Sequence, residues 1–530
     1  VSSASNPDGL RWRDYLLLVF TALIVDLLLL SIQPVPGYMD ASYYYATAIQ
    51  LAEGEGFTEP FIWNYLDDPQ SLPHPSHGYW YPLASLVAAF GMWLTGSSDF
   101  LSARLLFLPV AVLIPPAVAT LTWRLSRKRP LALVAGFLAI FCGYYLPFLL
   151  TSDNYALYLL FGALFFLLLD RASYPRAILL GMLAGLLNLA RADGLLWLPL
   201  TLGAVGWLFF QDGKDRSFSR RARSCLLACL LALGGYLLVF GFWLVRNLQI
   251  FGSLTPPGSG YVLWMTGYNQ LYSYTPEIYT FSSWLASGWQ EIVSARLTAL
   301  GRNLGTALLA QGSVFLFPFI LLAAWKYRRV LAVRFGFAGW LILLLAESIL
   351  FPYASVRGGF FHAGAAFQPV WFALAPLGID ALLGNLPRLR LSPRHRMFVQ
   401  FLLVIVMIAL SAMLVKIRVL DSGWNEGEYR YQQAEQILQE DGAAPGDVIV
   451  TINPPAYNAM TGRQAIVIPY GGVEVLLQAA REFGADYIIL EEDRLSAELE
   501  DLYLYPGAYA GFIDIGGFDA VRILRIEPGE

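Results

Sequence analysis

The sequence predicts a polytopic α-helical membrane protein with about eleven spans, interfacial helices in its first outer loop and a C-terminal α/β domain. Three observations predict it. The chain of 530 residues is 57% hydrophobic and only 14% charged, with a mean hydropathy of +0.54. Soluble chains are about half apolar and about a quarter charged, so one aqueous core cannot absorb this much apolar surface and lipid must solvate the rest. The apolar residues fall into runs of membrane-crossing length, with basic residues gathered in alternate gaps between them. Charge is also split along the chain: from Asp421 onward there are 20 acidic and 6 basic residues, against 19 and 29 before it. A basic membrane part therefore precedes an acidic soluble tail. No basic stripe interleaved with aromatics points to nucleic acid as a partner.

A span needs about 20 apolar residues to cross about 30 Å of hydrocarbon. Candidate spans lie at 15–33, 101–123, 131–150, 155–169, 177–190, 194–210, 224–245, 302–324, 335–351, 365–383 and 397–416. The first is followed by Gln33-Pro34-Val35-Pro36 rather than a small-residue cleavage site, so it reads as a retained span after a lead-in over 1–14, flexible over residues 1–9. With eleven spans, Arg11/Arg13, Arg124–Arg129, Arg171–Arg176, Lys214–Arg223, Lys326–Arg334 and Arg388–Arg396 all fall on the cytoplasmic side. Counting 80–95 as a further span would flip the basic loops as far as Arg223 outward, so that aromatic run is expected to lie in the outer interface. The transmembrane module is then 15–418, with a first outer loop at 34–100, a large outer loop at 246–301 and a further one at 352–364.

The tail, 419–530, alternates helix and strand patterns. Tyr429–Gln439 and Val473–Phe483 have helical spacing; DVIVTI, AIVIP, YIIL, FIDI and AVRILRI read as strands. About 110 residues suffice for a small core of its own. No phosphate-loop glycine pattern occurs in it.

Chemistry-bearing residues concentrate on the expected outer side. Asp40 follows the first span in GYMDASYYYATAIQLAEGEGF, where it reads either as the N-cap of a helix over Ala41–Ala52 or as a general base at the membrane surface. Asp153, in the short turn TSDN, reads as an N-cap for 155–169 or as a second carboxylate facing Asp40. His74 and His77, in LPHPSHGYWYPL, sit on a proline-flanked turn. Two histidines are more often polar loop residues than ligands, and a metal there would need a carboxylate such as Asp40 to complete its shell. Arg191, Arg246 and Arg357 stand at span ends on the outer face, either snorkelling to headgroups or gripping a phosphate together. Asp26 and Glu347 fall within spans, where an ionisable group is either paired or functional.

These motifs, in their order, resemble the GT-C superfamily of glycosyltransferases. The acid after the first span, the tyrosine-rich helix with LAEGEGF, then HPSHGYWYPL, SARLLFLPVAVL, TSDN, GLLNLARADGLLWLPL and FWLVRNLQIFGS carry the likeness across residues 10–380. It is similar above all to the bacterial branch related to protein mannosyltransferases and the lipid A aminoarabinose transferase. The resemblance implies transfer, with inversion, of a sugar from a polyprenyl-phosphate donor to a glycan, lipid or protein acceptor outside the plasma membrane of a bacterium. It makes Asp40 the base, Asp153 the second-loop acid, and Arg191 and Arg246 the phosphate-binding cations. Arg357 and His362 match more weakly in the loop before a late span. Members often carry Asp-Glu at the first position; here Ala41 follows Asp40, which leaves one carboxylate.

The physical account runs parallel to the likeness. A sugar hydroxyl needs a base as it attacks the anomeric carbon, and arginines can stabilise a departing phosphate. No cofactor is required by this scheme, and a divalent metal is not expected. Tyr44, Trp80, His74, His77 and His362 are the candidate donor or acceptor contacts. The competing expectation is a transporter or flippase of lipid-linked or anionic cargo, which would use Asp26 and Glu347 along a path through the bilayer.

Overall fold

The computed structural model describes residues 9–212, 217–274, 279–384 and 392–527. The lead-in expected over residues 1–9 lies outside these but for Gly9, as do Lys214, Arg216, Arg388 and Arg390 of the basic loops. Seven helices among the described residues are long and apolar enough to cross a membrane: Trp12–Ile32, Phe100–Ser126, Ala192–Asp212, Phe218–Phe251, Leu331–Ile349, Pro352–Gly384 and Pro393–Leu420. Five shorter apolar helices accompany them, Leu83–Thr95, Arg129–Ile140, Tyr155–Leu168, Tyr174–Ala190 and Phe317–Tyr327. In hydrocarbon, helices associate through close packing rather than hydrophobic burial, so small residues mark their contacts. Gly181 on Tyr174–Ala190 faces the backbone of Ala232, and Gly235 on Phe218–Phe251 faces that of Ile178, leaving no room for a side chain at either.

Three expected elements differ. The 131–150 run ends as a helix at Ile140 and continues as a 3₁₀ segment, Gly143–Phe148, because Gly143 takes a positive φ (62°) and Pro147 removes a donor. The 302–324 run breaks into Trp289–Thr306, a π turn at Ala307–Gln311 and Phe317–Tyr327, with Ser313 and Val314 at positive φ between them. Side chains occupy the break: Trp340 Nε1 donates to Gln311 Oε1 (2.7 Å) and Gln368 Nε2 to the Gln311 carbonyl (2.7 Å). The loop expected at 352–364 is instead the kinked start of a helix, passing through a π turn at Ser355–Gly359 where Gly358 has φ 125°.

The run at 80–95 forms the apolar helix Leu83–Thr95, which buries Leu83, Ala84, Ala88 and Met92 and exposes Phe90 and Trp93, their rings stacked 5.7 Å apart.

The tail forms a three-layer α/β unit. Its strands are β4 (Val448–Thr451), β5 (Ala465–Val467), β6 (Ala485–Glu491), β7 (Phe512–Phe518) and β8 (Val521–Ile526). The segment 34–100 supplies β1 (Thr58–Glu59), β2 (Phe61–Ile62) and β3 (His74–Pro75), with β1 antiparallel to β3. The six-stranded sheet has the order β2-β5-β4-β6-β8-β7, parallel from β2 to β6 and antiparallel beyond. Strand β4 is buried on both faces, as parallel strands with helices on each side must be. Val448, Val450 and Ile488 face Leu476, Ala480 and Phe483 of the Val473–Phe483 helix. Ile449 and Ile489 face Tyr431, Leu438 and Tyr457 from the helices Glu426–Asp441 and Pro454–Thr461. The sheet is thus not built from the tail alone: an edge strand comes from the loop that also carries Asp40. Tyr65 locks the junction by donating to the Val467 carbonyl (2.6 Å).

Candidate active site

Asp40 is not a cap. Its helix runs Met39–Glu53 with Tyr38 at the N-cap, which places Asp40 in the first turn with its carboxylate free to face away from the helix end. The TSDN turn meets it from the other side. Ser152 Oγ donates to the Ala41 carbonyl (2.7 Å), and Asn154 Nδ2 to the Tyr44 hydroxyl (2.7 Å). Asp153 does not cap Tyr155–Leu168 either, since Asn154 is the N-cap residue and has no side-chain cap bond. Asp153 instead accepts from the Asn154 amide (2.6 Å) and the Tyr38 hydroxyl (2.8 Å).

His362 completes the cluster. The kink at Gly358 turns the Phe360–Gly364 helix so that the imidazole stacks on Tyr155 (4.3 Å, 26°) and directs Nε2 at both carboxylates. Nε2 lies 3.3 Å from Asp153 Oδ2 and 3.5 Å from Asp40 Oδ2. Nδ1 lies 2.9 Å from the Gly358 carbonyl oxygen, which can only accept, so Nδ1 carries a proton. What Nε2 presents is then a second proton, or a lone pair aimed at a proton on a carboxyl group or at a cation. One ligand atom from each of Asp40, Asp153 and His362 lies within 4.8 Å of the others, so these three could hold a divalent cation.

The two carboxyl groups are held in different states. Burial pushes Asp40 up to about 6, with the Asp153 charge adding to it and His362 and Arg191 opposing it. For Asp153 burial also acts upward, but His362, the Asn154 amide and the Tyr38 hydroxyl together hold it below the usual carboxylate range. Divergent neighbours of this kind separate an acid–base group from an electrostatic one. Accessibility separates them too: the Asp40 side chain is 27% exposed and that of Asp153 only 1%. Only Asp40 can be reached by a substrate.

The three arginines part company. Arg191 caps the Tyr174–Ala190 helix and donates from Nε to Asp193 (2.8 Å), close enough to act on Asp40 and Glu347. Arg246 is turned elsewhere. It donates to the Ser76 carbonyl (2.6 Å) and its guanidinium lies over the rings of Trp243, Phe251 and Phe57, with Glu59 and Asp67 as its acidic neighbours. Arg357 is exposed and lies over the Tyr268 ring at 4.7 Å. His74 and His77 do not form a shared metal site. His74 Nε2 faces Glu59 (3.1 Å) and the Phe61 carbonyl, while both His77 nitrogens meet serine hydroxyls, of Ser76 (2.7 Å) and Ser85 (3.0 Å). Tyr44 is buried against Asn154, and Trp80 stacks face to face on Trp63 (3.8 Å, 7°).

Between the Trp197–Asp212 and Leu331–Ile349 helices runs an apolar groove of about 210 Å³. Trp197, Leu200, Phe335, Ala338 and Ile342 line it, and Asp193, the partner of Arg191, stands in its wall.

No protein-family model matches the chain, and no curated protein matches it. Solved structures do. ArnT from Cupriavidus metallidurans, bound to undecaprenyl phosphate, aligns over 96% of this chain and 97% of its own at 13% identity, with a TM-score of 0.56. The oligosaccharyltransferase AglB from Archaeoglobus fulgidus, in complex with an inhibitory peptide and a dolichol-phosphate, aligns over 91% of this chain and 70% of its own at 13% identity, with a TM-score of 0.52. The Archaeoglobus fulgidus enzyme in complex with Zn and sulfate gives 13% identity, 90% and 68% coverage, and a TM-score of 0.50.

The fold is shared with ArnT and AglB.

Within this fold, sequence reasoning missed Tyr38, Asn154 and Tyr155, which shape the cluster without offering a carboxylate or cation of their own. Their adjacency to Asp40 and Asp153 in GYMD and TSDNY was the available signal.

Proposed function

We propose that the protein is an inverting glycosyltransferase that takes its sugar from a polyprenyl-phosphate donor. The observation that carries this reading is the meeting of Asp40, Asp153 and His362 from three distant segments, with the Asp40 carboxylate partly exposed and that of Asp153 buried behind it. Asp40 accepts the proton of an acceptor hydroxyl as that oxygen bonds to the anomeric carbon. The bond from the same carbon to the phosphate oxygen breaks, and the phosphate leaves with the electron pair. Asp153 and His362 fix the base and set its charge, while Arg191 and the exposed Arg357 are the cations offered to the departing phosphate. The apolar groove beside Asp193 takes the isoprenoid chain. ArnT, solved with undecaprenyl phosphate, and AglB, solved with a dolichol-phosphate, support a donor of this class.

The basic loops support eleven crossings, with the site and the tail on the outer side of a bacterial plasma membrane. The four shorter helices Arg129–Ile140, Tyr155–Leu168, Tyr174–Ala190 and Phe317–Tyr327 are the added crossings. On this reading the monophosphate leaving group needs no metal. A divalent cation held by Asp40, Asp153 and His362 would supply further positive charge at the same point.

The test uses the purified protein in nanodiscs, supplied with a panel of undecaprenyl-phosphate-linked hexoses, with release of undecaprenyl phosphate as the readout. Turnover with at least one donor, abolished in Asp40→Asn, is expected. Undiminished turnover in Asp40→Asn would sink the assignment.

A further inference from the structure

Besides sharing the sheet through β2, the tail reaches the Asp40 end of the same loop through Trp424. Trp424 stands in the turn between the Pro393–Leu420 helix and the first helix of the tail, and only 7% of it is exposed. Its indole Nε1 donates to the Val35 carbonyl (2.9 Å). Its ring meets the Tyr38 ring edge-on (centroids 5.9 Å, 74°) and lies 6.4 Å from that of Phe148. Gly37, between Val35 and Tyr38, has φ 79°, and any side chain there would collide with the indole. The Glu428 carboxylate, in the first turn of the tail helix, lies beside the Gly37 amide. The Val35–Tyr38 segment is therefore clasped from the tail side by an indole and a carboxylate.

Tyr38 is the residue through which such a clasp reaches the site. Its carbonyl accepts from the Ser42 amide (3.0 Å) as N-cap of the helix bearing Asp40. Its hydroxyl donates to Asp153 (2.8 Å) and lies 3.0 Å from Thr151 Oγ1. One side chain thus fixes the start of the Asp40 helix and orients the Asp153 carboxylate. A tyrosine that only packed would need neither bond.

We propose that Trp424 is a positioning residue for the transfer reaction, acting through Tyr38 to hold Asp40 and Asp153 at their mutual distance from His362. The C-terminal domain is then part of the active-site framework, and its seat on the membrane module sets the rate of the chemical step. This rests on the reading of Asp40 as the base. Removing the indole leaves the groove and the arginines untouched, so donor binding is preserved while the geometry of the base relaxes.

The experiment compares Trp424→Ala, Trp424→Phe, Tyr38→Phe and the double variant Trp424→Ala/Tyr38→Phe in nanodiscs with undecaprenyl-phosphate hexoses. Trp424→Ala is expected to lower kcat about ten-fold or more, with KM for the donor changed less than about two-fold, as loss of orientation without loss of binding requires. Trp424→Phe, which keeps a ring against Tyr38, recovers part of kcat. The double variant is no slower than the poorer single one, because both act along one chain of contacts. Hydrogen exchange supplies a readout independent of turnover: amides of residues 35–42 exchange faster in Trp424→Ala, while strands β4 and β6 are unchanged. Wild-type kcat in Trp424→Ala, additive losses in the double variant, or exchange that rises equally throughout the tail would each overturn the proposal. Turnover retained in Asp40→Asn would overturn the functional reading instead, and the exchange result would still decide the clasp.

Discussion

Nε2 of His362 lies 3.5 Å from Oδ2 of Asp40, and the Gly358 carbonyl behind the ring leaves only that nitrogen to face it. The imidazole therefore sets the charge of the proposed base from one side, while the buried carboxylate of Asp153 acts from the other. Each prediction below perturbs one part of this arrangement.

Asp40→Asn keeps the size of the side chain and removes its basicity. Turnover should fall by about 10²–10⁴-fold, the usual contribution of a positioned general base, with the melting temperature of the detergent-solubilised protein little changed. Steady-state release of undecaprenyl phosphate and a thermal melt measure the two.

The pH dependence follows from the raised value of Asp40, about 6. Below it the carboxyl is protonated and cannot accept the acceptor's proton; above it the base is available. The acid limb of kcat/KM should therefore rise with pH through about 6 and flatten above it. A limb near the ordinary aspartate range would show that burial does not govern this group.

His362→Gln keeps a hydrogen-bonding side chain and removes the imidazole. On the metal-free reading, chelator treatment of the wild type leaves turnover unchanged and His362→Gln lowers it at every metal concentration. Turnover lost to chelation and restored by Mn²⁺ would instead assign a cation to Asp40, Asp153 and His362.

Ala338 lines the apolar groove and is exposed within it. Ala338→Trp fills the groove with an indole and should raise KM for the undecaprenyl donor about ten-fold while leaving kcat near wild type. A ten-fold loss corresponds to about 1.4 kcal/mol, less than the gain from fully burying a large apolar side chain. An unchanged KM would place the chain elsewhere.

Gly162, on the Tyr155–Leu168 helix, faces the backbone of Ala366, just beyond His362. Gly162→Ala forces two backbones apart, and overpacking of this kind costs about 1–3 kcal/mol. A lowered melting temperature is expected, together with reduced turnover, because the displaced segment carries the imidazole.

Much of the fold was legible in the sequence because hydropathy and charge are local. Most of the apolar runs reappear as helices, those at 131–150 and 302–324 broken, and the 80–95 run forms the Leu83–Thr95 helix, which buries one face and exposes Phe90 and Trp93. The tail strands and the Val473–Phe483 helix also stand where their periodicity puts them. What local pattern does not carry is the breaks. At the π turn Ala307–Gln311 and beyond the kink at Gly358, Gln368 donates to the Gln311 carbonyl and Gln311 to the Phe360 carbonyl, with Trp340 holding the Gln311 side chain, and those partners are remote in sequence.

The sequence by itself determined a lipid-solvated helical bundle, an acidic α/β tail and the identity of two carboxylates near the ends of apolar runs, since each depends on residues close together along the chain. Only the tertiary structure decided which groups meet. It joined His362 to Asp40 and Asp153, left Arg246 among aromatic rings beside Ser76, and set His74 and His77 in separate hydrogen-bond networks. It also drew β2 from the first loop into the tail sheet and seated Trp424 against Tyr38. The physical reason is range. Burial pattern and helix period act over a few residues, whereas a hydrogen bond or an ion pair between distant segments forms only after the helices that carry them have packed.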